Sequence, residues 1–402
     1  YFSRSRCRLM FEGYYRNIIF KFLDNIDQGT IILNDDVSKT FGSGEPKVTI
    51  EIVSPRFYRR AVLGGDLGFA ESYAKSEWFT DDLTNLITIL ILNKEKLSGL
   101  DIGWSFLSKI FARVGHWRRR NTLSGSKRNI QDHYDLSNEM FMTFLDDTMT
   151  YSCGYFATES DSLYQSQINK IDKILDKADI NSDDHVLEIG SGWGALAKRA
   201  VSKTGCKVTT ITLSERQHRY VKDLIEKEGL QNNIDVQLID FRKIDGAYDK
   251  VVSVEMIEAI GFDLFNPYFS KIESLMKTNG TAVIQAITYP DENYETYRKG
   301  CDFIQKFIFP GSLLPSVAAM KNSVSLTDMK FDDLERIGPH YATTLNLWNK
   351  NFNKNIEEIK NLGFDQYFIN LWNYYFSYCE AGFANGTIDD VQLVLKGGKA
   401  NA

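Results

Sequence analysis

The 402 residues allow two domains with cores of full size. A net charge of −6 argues against general nucleic-acid binding, and the globular composition (43% hydrophobic, 25% charged) argues against a disordered or membrane-embedded chain. Cys7, Cys153, Cys206, Cys301 and Cys379 form no CxxC pair and have no His partner at metal spacing, so neither a metal site nor a disulfide framework is expected.

In chain order, residues 1–26 mix Arg with Phe, Tyr and Ile at helical spacing. Gly29–Leu33 and Val48–Val53 alternate and are bounded by turn residues, which predicts short strands. Helical periodicity follows from Pro55 to Leu67, Glu71 to Tyr73 and Asp81 to Asn93. The apolar run Leu83–Leu92 is too short to cross a bilayer. Residues 1–95 thus read as a small α+β domain. No signal-peptide pattern is visible, and a leader ahead of Tyr1 stays open.

Residues 96–130 reverse the overall charge as a basic helical linker. Lys109, Arg113, His116, Arg118, Arg119, Arg120, Lys127 and Arg128 lie there beside Trp104, Phe106, Ile110, Phe111 and Trp117. Two readings stay open: a docking surface for anionic lipid headgroups, or a solvated connection between domains.

From residue 131 a second domain extends to 402. Its helix Gln165–Ala178 precedes strand His185–Ile189, helix Gly194–Thr204, strand Lys207–Thr212, helix Glu215–Glu228, strands Ile234–Ile239 and Lys250–Glu255, helix Asp263–Met276 and strand Thr281–Ile287. This alternation predicts a mostly parallel sheet with helices on both faces. A long insertion over 290–340, helices over 343–362 and 364–384, and a last strand Val391–Leu395 follow.

The strand running into Gly190-Ser-Gly-Trp-Gly194 is the sharpest local motif. Glycines there let a ligand approach the backbone at the carboxyl end of the sheet. The G-x-G-x-G spacing and the preceding Glu188 favour a nucleoside-bearing methyl donor over a dinucleotide, although Glu188 could also cap a helix or pair with a Lys. Thr212-Leu-Ser-Glu-Arg-Gln217 closes the second strand, where Ser214 also reads as an N-cap. Asp240-Phe241 closes the third, suited either to an adenine or to a plain turn.

Together with these motifs, His133-Tyr-Asp-Leu-Ser-Asn138, Leu145 through Tyr155, Ser253 through Gly261, Asp302 through Gly311 and Tyr378 through Phe383 occur in one order. With them the chain resembles the cyclopropane-fatty-acyl-phospholipid and mycolic acid cyclopropane synthases, strongly over 128–397. Gly64 through Glu71 resembles the amino-terminal domain of larger members. The resemblance implies an α/β fold: a Rossmann-like class I S-adenosylmethionine-dependent methyltransferase domain with a smaller α+β amino-terminal domain. It implies cofactor contacts at Tyr134, Tyr151, Ser152, Gly190, Gly192, Thr212, Leu213, Ser214, Gln217, Asp240, Phe241 and Arg242.

The implied reaction is attack of an acyl-chain double bond on the sulfonium methyl, then proton loss to close a ring. Such a site excludes water, faces the cation with aromatic rings and holds a base. In the family the base resembles a bound bicarbonate, whose ligands match Cys153, Glu258, Gln285, Ile287 (through its backbone) and Tyr341. Gln285 stands where many members have His, so the positive charge of that ligand is missing. Cys379 matches a cysteine motif once read as nucleophilic; an alkene nucleophile needs no thiolate, so a structural role is expected for it. The resemblance further implies a membrane phospholipid as partner, peripheral attachment on the cytoplasmic side through 109–128, and is compatible with a homodimer. Methyl branching of the lipid, amine N-methylation and a non-catalytic lipid-binding role are the competing readings.

Overall fold

The computed structural model describes residues 2–98 and 136–397, which form two compact units. The basic linker from residue 99 onward, including Lys109–Arg128, lies outside the described residues, as does Tyr134.

The first unit carries a four-stranded sheet in the order β2-β1-β3-β4, with β1 (Gly29–Asn34), β2 (Ser38–Ser43), β3 (Lys47–Ile52) and β4 (Trp78–Thr80). β1 pairs antiparallel with β2 and parallel with β3. Alternation directs Ile31, Leu33, Val48 and Ile50 into the core. Helix Arg56–Ala74 is kinked at Gly65 (φ 56°), a backbone conformation that glycine adopts without a Cβ clash.

This unit is not the contiguous 1–95 stretch expected from the sequence. It also takes in Gly300–Ile308 and Asn353–Asn385. The cause is helix Gln366–Ala384, whose buried Ile369, Trp372, Phe376 and Phe383 give it an apolar face, and which packs against helices Arg56–Ala74 and Leu83–Leu92. Asn370 ties it down by donating to Ser76 Oγ at 2.9 Å.

The second unit is built on a seven-stranded sheet in the order β10-β11-β9-β8-β5-β6-β7. Its strands are β5 (His185–Ile189), β6 (Lys207–Thr212), β7 (Ile234–Leu238), β8 (Tyr248–Val254), β9 (Met276–Thr288), β10 (Lys330–Arg336) and β11 (Asp389–Lys396). β9 through β7 are parallel, while β11 and β10 are added antiparallel. Strands buried on both faces read as apolar runs, which is why β5 and β8 are plain in the sequence. Helices Leu163–Ala178, Ala195–Thr204, Glu215–Glu228 and Phe265–Leu275 begin and end within two residues of expectation. The single helix expected over 343–362 is instead Gly338–Lys354 and Ile356–Asn361, broken at Asn355. Strand β10 was not expected: its Lys-Phe-Asp-Asp-Leu-Glu-Arg sequence is that of a charged edge strand.

The chain order runs β5-β6-β7 in one direction and β8-β9 in the other. The crevice outside the carboxyl ends of β5 and β8 is therefore the topological switch point, where open α/β sheets bind ligands.

Candidate active site

A pocket opens at that switch point. Its wall includes Tyr151, Ser152, Lys170, Glu188, Gly190, Gly192, Thr212, Leu213, Gln217, Asp240, Phe241, Arg242 and Glu255. Gly190 (φ 100°) and Gly192 (φ 48°) form the turn after β5, and a Cβ on Gly192 would meet open space, which leaves the backbone bare toward a ligand. Glu188 stays inside the sheet end: it accepts from Thr210 Oγ1 at 2.5 Å, and burial pushes its carboxyl up to about 8. Asp240 is the opposite case. Burial would raise it, but the Arg242 side chain donates to both its oxygens, at 2.8 and 2.5 Å, and holds it below the ordinary carboxylate range. Gln217 is fixed by Thr212 Oγ1, which donates to its Oε1 at 2.8 Å.

Deeper in, the residues matched to a bicarbonate site converge on a protein carboxylate. Glu255 Oε1 accepts from the Cys153 backbone N–H and from Gln285 Nε2, each at 2.8 Å. Glu255 Oε2 accepts from Tyr341 Oη at 2.7 Å. The Ile287 N–H donates to Glu258 Oε1 at 2.6 Å. Gln285 also donates to Asp390 Oδ2 at 2.8 Å. Every donor of that set thus serves a carboxylate of this chain. The arrangement does not fit a bicarbonate ion, and that expectation is corrected: Glu255 sits where the anion was placed.

Charge in this cluster is sorted by partners. Burial raises Glu255 above the usual carboxylate range, and its three donors and the Lys170 charge offset this only in part. Burial beside Glu255 pushes Glu258 up to about 8, and its Oε2 has no hydrogen-bond partner among the described residues. Asp390 is raised well above the usual carboxylate range by burial and by both glutamates. Burial therefore favours the neutral form of both Glu258 and Asp390. Lys170 is 2% exposed and donates to Ser152 Oγ at 2.7 Å. The Cys153 thiol is buried and raised well above its ordinary value, so it is no nucleophile; its backbone N–H does the binding.

Aromatic rings cover the same region. Tyr151 packs against Trp348, Phe141, Phe144 and Phe309, with ring centroids at 5.1, 5.3, 5.9 and 6.4 Å. Trp193, after the glycine turn, is anchored by donating to Asn138 Oδ1 at 3.0 Å.

The mycolic acid cyclopropane synthetase family model matches residues 122–393, a span that holds the pocket and the carboxylate cluster. This chain belongs to that family. Family members are S-adenosylmethionine-dependent methyltransferases of lipids. The chain is 39% identical over 348 residues to the tuberculostearic acid methyltransferase UfaA1 of Mycobacterium tuberculosis, covering 84% of this chain and 80% of that one. It is 34% identical over 229 residues to cyclopropane mycolic acid synthase 1 of the same organism, covering 55% and 80%. Among solved structures, the mycolic acid cyclopropane synthase CmaA1 complexed with SAH and CTAB superimposes with a TM-score of 0.63 at 31% identity, over 67% of this chain and 98% of that one. Coclaurine N-methyltransferase, at 19% identity and a TM-score of 0.63, shares the fold.

For this synthetase-family chain the pocket gathers all the expected cofactor residues that are described except Ser214. Ser214 caps helix Glu215–Glu228 by accepting from Gln217 N–H, the alternative reading of that position. Cys379 is not brought to the site. It belongs to the first unit, where desolvation and Asp302 raise its thiol. Lys170, Glu255 and Asp390 escaped the sequence reading. Lys170 was detectable as a cation on the apolar face of its helix, three residues after Gln167 and four before Ile174. Glu255 was detectable as an acid at the carboxyl edge of a buried strand.

Proposed function

We propose that this chain transfers a methylene unit from S-adenosylmethionine to the cis double bond of an unsaturated phospholipid acyl chain, forming a cyclopropane fatty acid. The observation that carries this reading is that Tyr151, at the edge of an aromatic cluster, and Glu255, the hub of the carboxylate cluster, line one pocket. An alkene acceptor needs both, because methylation leaves a carbocation and product formation requires loss of a proton.

When bound, S-adenosylmethionine supplies an electrophilic methyl group. Gly190, Gly192, Gln217 and Asp240 would hold it, with the anionic Asp240 accepting from hydroxyl or amino groups. Tyr151 on the pocket wall, backed by Phe309 and Trp348, would offer positive charge an aromatic surface. Glu258 accepts from the Ile287 N–H near the end of β9, and its other oxygen has no hydrogen-bond partner among the described residues. Supply of the lipid from an anionic membrane surface through the basic stretch 109–128, as a peripheral cytoplasmic protein, completes this reading. No described helix is long and apolar enough to cross a membrane.

A methyl-branched product is the second reading. It is favoured by the 39% identity, over 84% of this chain, to a protein named as a tuberculostearic acid methyltransferase. Both readings share every step up to the cation. Mass spectrometry of lipids from a cyclopropane-free host producing this chain separates them. A gain of one CH2 with the double bond lost supports ring closure, and the same gain with a double bond retained supports branching. Unchanged lipids beside protein that binds S-adenosylmethionine would refute both.

A further inference from the structure

Glu255 has a backbone conformation that glutamate normally avoids. Its φ is 48°, in the left-handed region, where a non-glycine residue is strained. The strain is held in place by the Glu255 N–H donating to the Gln285 carbonyl at 2.8 Å and by three donors on its carboxylate. Those donors come from three distant segments of the second unit: the Tyr-Ser-Cys turn, strand β9 and helix Gly338–Lys354. Glu255 nonetheless keeps part of its surface accessible, and that surface faces the cofactor pocket. A strained acid, oriented from three sides and open toward the reacting centre, is arranged for chemistry rather than for packing.

The geometry points to Glu255 as the built-in base of the reaction, a covalently attached carboxylate doing what a diffusible bicarbonate does in proteins that bind one. This inference rests on the alkene-methylation reading. In the step, the π pair has already formed a C–C bond to the transferred methyl, the C–S bond has broken, and S-adenosylhomocysteine is the leaving group. Glu255 then takes a proton from that methyl and becomes a carboxylic acid. The released C–H pair forms a second C–C bond to the cationic carbon, closing the ring. If a hydride has first shifted from the neighbouring carbon, the same pair forms a C=C bond and gives a methylene branch. The acid returns its proton to solvent when products leave. Alkylation of Glu255 by the cation is opposed because each of its oxygens already accepts at least one hydrogen bond, which lowers its nucleophilicity.

The test uses the full chain and two variants, Glu255→Gln and Glu255→Gly. The glycine variant relieves the positive φ and frees the three donors. S-adenosylhomocysteine affinity, by calorimetry, reports whether each variant keeps its fold. Carbon-13 NMR with labelled bicarbonate is the readout independent of turnover. The expected result is no saturable bicarbonate binding by the wild type and saturable binding by Glu255→Gly. In bicarbonate-depleted buffer the wild type retains its lipid methylation, Glu255→Gln falls by at least ~100-fold, and added bicarbonate restores Glu255→Gly but not the wild type's already full rate. Should Glu255→Gly fail to fold, the near-isosteric Glu255→Gln carries the test. Saturable bicarbonate binding by the wild type, or undiminished turnover by Glu255→Gln, overturns the assignment. If the wild type methylates no lipid, the functional reading fails, while the binding contrast still decides what the donor set holds.

Discussion

Lys170→Met removes the buried cation that faces Glu255, Asp390 and Asp146. The variant can escape an unpaired buried anion by taking up a proton on Glu255. Protonating a carboxyl whose ordinary value is 4.5 costs about 1.36 kcal/mol for each pH step above it, so about 3.4 kcal/mol at pH 7 and about 1.4 at pH 5.5. Burying a thioether in place of an ammonium saves desolvation and offsets part of this at both pH values. The difference between the two, about 2 kcal/mol, is an upper bound on the recovery, because burial already raises Glu255 in the wild type. The sign follows from Glu255 being held protonated in the variant: its stability is fully present below 4.5 and is lost as pH rises. Urea denaturation followed by circular dichroism, on wild type and Lys170→Met at pH 5.5 and 7.0, measures it. The variant is expected to be less stable at pH 7.0 and to recover part of its deficit, up to about 2 kcal/mol, at pH 5.5. A deficit of equal size at both pH values would refute the electrostatic account and leave lost packing as the cause.

Glu258→Gln keeps an acceptor for the Ile287 N–H but has no proton to move, so S-adenosylhomocysteine affinity should stay within about two-fold while lipid methylation falls roughly 100-fold or more. Equal turnover would remove Glu258 from the chemistry. Because Glu188 is pushed up to about 8, the folded chain holds a proton there that the unfolded chain releases above about 4.5. Its contribution to stability therefore falls as pH rises between those values, by on the order of 3 kcal/mol from pH 5.5 to 8. Glu188→Gln should flatten the decline in thermal midpoint over that range, and an unchanged slope would mean that Glu188 is ionised in the fold. Gly190→Ala forces a Cβ onto a φ of 100°, at a cost of roughly 1–3 kcal/mol. A lowered thermal midpoint with S-adenosylhomocysteine binding at least ~10-fold weaker is expected, and unchanged affinity would take this turn out of the binding site.

Strands β5 to β9 and their helices were legible because period, glycine turns and N-cap residues act over a few neighbouring positions. The pocket was legible for the same reason, since its residues follow strand ends. What the sequence did not disclose depends on contacts between distant segments. Helix Gln366–Ala384 is apolar wherever it packs, and nothing local shows that it joins the first unit. Strand β10 hides behind its charges. Glu255 reads as one more acid after a strand until Cys153, Gln285 and Tyr341, which lie 102, 30 and 86 positions away, arrive around it. The residues assigned to bicarbonate were in fact brought together, but the carboxylate between them came from the chain.

Strand β11 follows every other strand of its sheet in chain order, yet it lies between β9 and β10 and carries Asp390 and Gln392 against Ile287 and Gln285. A ribosome releases β5 to β9, with the glycine turn and the adenosine side of the pocket, well before β11 is made. During synthesis the half that holds the methyl donor can therefore form first, while the acid cluster still lacks a wall.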